Sequence, residues 1–202
     1  IKVNPAIHLT CISGGLHFEG TAEAPIILTS FYDDNVVGDS DLGVGPPASA
    51  GDWRGFYTYP SANLTLRHTK IYYVGNGNYA GLDLNAANAV LDHVEVRHAT
   101  QMGFDIKANV VTDPTHLTAF DCGTRGISLT NGSCTLRRST AANCGTEGIY
   151  RAPAFTGRVV DTLSYGNTVA NFSGFGPGAL RYCNGSAAHA GSKGNIDMDP
   201  LF

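Results

Sequence analysis

A short glycine-led phrase returns along the chain at a nearly fixed interval. It reads Gly-Phe-Tyr-Thr from Gly55, Gly-Leu-Asp-Leu from Gly81, Gly-Phe-Asp-Ile from Gly103, Gly-Ile-Ser-Leu from Gly126 and Gly-Ile-Tyr-Arg from Gly148. Ala-Asn-Phe-Ser from Ala170 is a degenerate sixth copy, and the successive spacings are 26, 22, 23, 22 and 22 residues. A unit of that length cannot bury a core alone, so the chain must stack equivalent units.

The contents of each unit say what is stacked. Short runs of apolar residues alternate with polar ones, and no apolar stripe at helical spacing accompanies them. From Gly81, Leu82 and Leu84 flank Asp83, Asn85 to Asn88 turn the chain, Leu91 begins a second strand, and Val94 and Val96 alternate with Glu95 and Arg97. Ala119 to Ile127 and Ala141 to Ile149 match at a shift of 22, which places like residues above one another. The expected fold is therefore all-β, a single-stranded parallel β-solenoid of about seven rungs. One domain covers 1–202, with an acidic inserted loop at 32–52 and a closing segment at 194–202.

Composition narrows the function classes. The 202 residues, 43% of them hydrophobic, suffice for one elongated core. A formal charge of −4 argues against a nucleic-acid partner, and the absence of a long apolar run argues against a membrane span. A start at Ile1 without methionine or a signal-like stretch fits a processed mature form or an excised fragment. Five cysteines make an odd count, which speaks against a disulfide framework. Cys122 and Cys144 occupy equivalent places one strand spacing apart, roughly 4.8 Å, within reach of a disulfide; two stacked buried thiols are the simpler outcome.

Gly20 to Ser30, the acidic loop from Asp33, Gly-Asp-Trp-Arg-Gly at Gly51 to Gly55 and the ending Gly194 to Phe202 resemble bacterial extracellular right-handed parallel β-helix proteins of the pectate-lyase-like superfamily. The resemblance implies a right-handed coil and a secreted or cell-surface protein living near carbohydrate. It leaves activity open, because that superfamily holds lyases, hydrolases, adhesins and surface proteins. The Asp-Pro-Leu-Phe ending resembles a closing turn, whereas Ile1 to Ile12 begins in mid-rung with no capping helix before it. An uncovered rung exposes unpaired strand edges, so either residues are missing upstream or another chain covers that end, end-to-end self-association through an open N-terminal rung being one way to do so.

Stacking turns the repeat into columns of side chains. Tyr57, Asp83, Asp105, Ser128 and Tyr150 each follow an inward apolar residue and form one outward column, with Lys107 expected beside Asn85 and Tyr59 nearby. Two carboxylates at strand spacing repel, and with Lys107 they are candidates for acid/base work on a sugar. The plain alternative is that both are solvated, since outward strand positions are polar by default. Tyr57 and Tyr59 point to the same side and offer ring faces to sugar, so Tyr57, Tyr59, Asp83, Asp105 and Lys107 form the candidate carbohydrate-binding set.

Two further groups stand out. His68, His93, His116 and Arg138 fall in one column, where stacked imidazoles pack a corner or, with Arg67, Arg97 and Arg137, make a basic strip for acidic polysaccharide. A line of imidazoles is not the tetrahedral arrangement zinc prefers. The insertion carries Asp33, Asp34, Asp39 and Asp41 around Gly38, a density of oxygen ligands that suits a structural calcium ion or a simple acidic turn. In this reading Trp53 covers the loop.

Two classes of function survive. One is an extracellular carbohydrate-associated module or self-assembling structural subunit without catalysis; the other is a polysaccharide lyase or glycoside hydrolase acting on acidic polysaccharide. Nearly minimal rungs leave a flat wall rather than a framed cleft, which favours the first.

Overall fold

The computed structural model describes residues 1–36, 38–107, 110, 112–185 and 191–198. Among them all regular structure is β and every strand pairing is parallel, as the repeat predicts. One sheet has seven strands, ordered Ala170–Ser173, Glu147–Arg151, Ile127–Leu129, Phe104–Ile106, Leu82–Leu84, Gly55–Thr58 and His8–Cys11. The other has eleven and includes the long strands Ala62–Tyr72 and Asn88–Arg97. Only neighbouring rungs pair, so the molecule is a β-solenoid.

Register follows the glycine-led phrase. Phe56 pairs with Leu82, Leu82 with Phe104, Phe104 with Ile127 and Ile127 with Ile149. All five are at most 1% exposed, so like residues stack inside one continuous core. Burial of each such side chain contributes about 1.5–3 kcal/mol.

The eleven-stranded sheet is two strand columns hinged at a corner. His68, His93, His116, Arg138, Asp161 and Tyr182 all have positive φ, between 42° and 54°. A left-handed residue turns the chain and shifts the in-out alternation by one. The burial pattern shows the slip: Leu91 in, Asp92 and His93 out, Val94 in. On later rungs the corner divides the strand outright, so Thr135–Arg137 and Thr140–Ala142 continue the two halves of Thr115–Phe120. Tyr73, His98, Asp121 and Asn143 repeat the device at a second corner, with Gly166 in the same place on the next rung.

Several expectations change. The degenerate sixth copy is displaced by one residue: Ala170 pairs with Glu147 and Phe172 with Ile149, so Asn171 stands where the glycine was expected. The slip is accommodated by Asn167, whose Nδ2 donates to Ala141 O and whose Oδ1 accepts from Cys144 N. The second strand of the Gly81 rung starts at Asn88 rather than Leu91, because Ala89 already points inward at 2% exposure. Trp53 belongs to the core. It is fully buried and its Nε1 donates to Tyr72 O at 2.8 Å. All five cysteines are buried free thiols, Cys122 and Cys144 among them. Of the closing segment, residues 199–202 lie outside the described residues.

Candidate functional site

The seven-stranded sheet presents the column that the repeat aligned. Tyr57 pairs with Asp83, Asp83 with Asp105, Asp105 with Ser128 and Ser128 with Tyr150. Asp83 and Asp105 point away from the core yet are only 6% and 4% exposed, so the solvated reading fails. Lys107 covers them. Its Nζ donates to Asp83 Oδ1 at 2.9 Å and Oδ2 at 2.7 Å, and lies 3.1 Å from Asp105 Oδ2.

The remaining acceptor capacity is largely used. Asn85 Nδ2 donates to Asp83 Oδ1 at 2.9 Å, and Thr130 Oγ1 donates to Asp105 Oδ1 at 2.5 Å. Burial disfavours the Lys107 ammonium, but its hydrogen bond to Asp83 and the attraction of both carboxylates outweigh that, leaving its pKa above the ordinary value. A lysine held so firmly protonated is a poor base. What the cluster offers is a fixed, partly exposed donor.

Beside it lies an aromatic recess of about 360 Å³ lined by His8, Thr10, Tyr57, Tyr59 and Tyr79. Tyr59 is 44% exposed and meets Tyr57 edge-on at 5.1 Å. His8 lies 4.6 Å from Tyr79 and 5.9 Å from Tyr57, ring centre to ring centre. Burial first, and the Arg54 guanidinium second, lower its pKa, so the ring is neutral at neutral pH. Its buried Nε2 has no hydrogen-bond partner among the described residues.

Thus Asp83, Asp105, Lys107, Tyr57 and Tyr59 are brought to one face, and His8, Thr10 and Tyr79 join them. Sequence spacing missed the first two because the acidic insertion separates them from the regular rungs: His8 pairs with Gly55, and Thr10 with Tyr57, across that long excursion. Tyr79 sits in the turn ahead of Gly81, outside the strand alternation.

The acidic loop divides. Asp34, Asp39 and Asp41 place carboxylate oxygens within 4.8 Å of one another, which fits a hard cation. Asp33 stays apart, 2% exposed, accepting from Thr29 Oγ1 at 2.6 Å and from Asn35 N at 3.2 Å. Lys2 already brings a positive charge, with Nζ 3.8 Å from Asp34 and donating to Gly38 O.

Comparison with protein-family models, with curated proteins and with solved structures finds no match.

Proposed function

We propose that this solenoid is an extracellular, secreted or cell-surface carbohydrate-binding module of the pectate-lyase-like kind, and that the face formed by Tyr57, Tyr59, Tyr79 and Lys107 takes a glycan chain without cleaving it. The observation that carries this reading is the juxtaposition of an aromatic recess with an ammonium pinned by Asp83 and Asp105. Ring faces supply apolar contact to sugar C–H groups. The ammonium supplies a donor to a hydroxyl or an acidic substituent. In the same reading a calcium ion held by Asp34, Asp39 and Asp41 would brace the inserted loop, with Lys2 as its competitor.

The enzyme alternative uses the same residues, but the saturated Asp83, Asp105 and Lys107 cluster speaks against it. Glycan-array binding decides the module: Tyr57→Ala and Tyr59→Ala should each weaken retention about tenfold, in keeping with loss of about 1.4 kcal/mol of ring contact. Unchanged retention on both variants removes this face. An ultraviolet assay for unsaturated uronides on pectate and alginate should stay flat with and without calcium. Product that disappears with folded Asp105→Asn would turn the reading to a lyase.

A second reading concerns the end of the solenoid. Strand His8–Cys11 is terminal in its sheet, and Ile7 and Ile12 beside it are 46% and 63% exposed. We infer that this edge supports end-to-end association of copies of the chain.

A further inference from the structure

On the eleven-stranded sheet, away from the strands that line the aromatic recess, the first corner builds a different cluster. The left-handed conformation at His68, His93 and His116 carries the three rings outward in a stack, with centroids 4.6 Å apart for the first pair and 4.0 Å for the second. Asp92 reaches into that stack. Its Oδ1 is 2.8 Å from His93 Nδ1 and 3.2 Å from His116 Nδ1. The sequence shows a line of imidazoles; the structure shows two of them converging on one carboxylate oxygen.

We propose that Asp92, His93 and His116 form a binding site for a divalent transition ion of the zinc and copper class. The three donor atoms lie within 4.8 Å of one another. Bonds of about 2.0–2.2 Å to zinc require donors roughly 3.3–3.6 Å apart, so the two oxygen–nitrogen separations, 2.8 and 3.2 Å, need to open by only a few tenths of an ångström. Beside a carboxylate oxygen each Nδ1 is the donor, so ion binding shifts the ring proton to Nε2, and His116 Nδ1 also gives up its contact with Thr115 Oγ1 at 3.0 Å. The stacked planes are 15° apart and must turn about Cβ–Cγ to aim both lone pairs at one point. Side-chain exposures of 45% at His93 and 34% at His116 leave room for that turn.

The surroundings fit an accessible ion. A recess of about 300 Å³ opens on the stack, lined also by Lys70, Glu95 and Thr118. Asp92 does not line that recess; the exposure of His93, His116 and Asp92 themselves, 45%, 34% and 26%, is what leaves room for water or an external ligand to complete the shell, as three-ligand sites require. Two nitrogens and one oxygen favour zinc, nickel or copper over calcium or magnesium. Arg67 Nη1, 3.6 Å from Asp92 Oδ2, holds the second carboxylate oxygen and turns the first toward the rings.

The test uses the whole chain, with zinc chloride and calcium chloride competing separately against a chelating indicator. One zinc ion per chain is expected, unaffected by excess calcium, weakened about tenfold or more by His93→Asn and by His116→Asn. Asparagine accepts the left-handed backbone, so the corner survives each change. His98→Asn at the second corner, where a single Asp121 carboxylate faces the ring at 3.6 Å, should leave binding unchanged. The unaltered chain gives a second readout, since cupric ion bound there should show coupling to two imidazole nitrogens in its electron spin resonance spectrum. Failure to bind zinc, zinc binding that survives both corner variants or falls equally with His98→Asn, or a copper spectrum lacking the two-nitrogen coupling overturns the site.

Discussion

Lys107 sits where register alone would leave Asp83 and Asp105 facing each other across one strand spacing. Removing the ammonium with Lys107→Met strands two buried carboxylates, and about 3 kcal/mol of stability should go, the low side of the range for breaking a buried pair because the side chain is 32% exposed. In an Asp83→Asn/Asp105→Asn background the same change should cost far less. Equal losses of urea midpoint in both backgrounds would refute the coupling. The pH dependence has a fixed sign. A lysine whose folded pKa is raised contributes fully below its unfolded value and loses that contribution as pH climbs through the folded value. The advantage of the unaltered chain over Lys107→Met should therefore hold through neutral pH and shrink on the alkaline side as the ammonium loses its proton. The column itself was legible from the spacing of Gly81 and Gly103, and so were its members. Its burial was not, because alternation reports which way Asp83 points and says nothing of Lys107 folding back from the next rung to cover it.

At the scale of the strand and its corner, the glycine of the repeated phrase is kept by close approach. A Cβ on Gly103 would stand 2.8 Å from Gly126 O and 3.0 Å from Cys122 Sγ, and one on Gly126 2.7 Å from Gly148 O. Gly103→Ala should thus cost about 1–3 kcal/mol through overpacking. Gly176→Ala, where nothing lies within 4 Å, should fall within about 0.5 kcal/mol of the unaltered chain. Thermal unfolding of the two variants checks this, and matching transitions would mean that the stacked glycines are incidental. The corners were written in the sequence as paired outward residues, Arg67-His68, Asp92-His93 and Arg137-Arg138, between inward ones. Period-two reading has no place for such a pair, and it begins at Leu91 a strand that runs from Asn88 to Arg97 through the corner. The meeting of Asp92 with two rings was hidden because the paired residues mark where the chain turns but not where the left-handed backbone at His93 and His116 carries each ring.

For the whole molecule, a solenoid has side faces and ends, and the two can be altered independently because each rung touches only its neighbours. The terminal strand His8–Cys11 supplies His8 and Thr10 to the aromatic recess on its outer face, while its open edge runs at right angles to that face. Unpaired N–H and C=O groups along such an edge template another parallel strand, and the flanking Ile7 and Ile12 add apolar area to the contact. The proposed end-to-end association therefore predicts a mass that rises with concentration in light scattering. Ile12→Lys should return it to the monomer value by removing apolar area from the contact and placing an ammonium there without a partner. Glycan retention on the same variant should be unchanged, because no lining residue of the recess is touched. Tyr59→Ala should do the reverse, weakening retention while association persists. A chain that stays monomeric at every concentration counts against the end contact. A single variant that abolishes both properties would mean that the recess is completed by a second copy, joining what the geometry of one chain keeps apart.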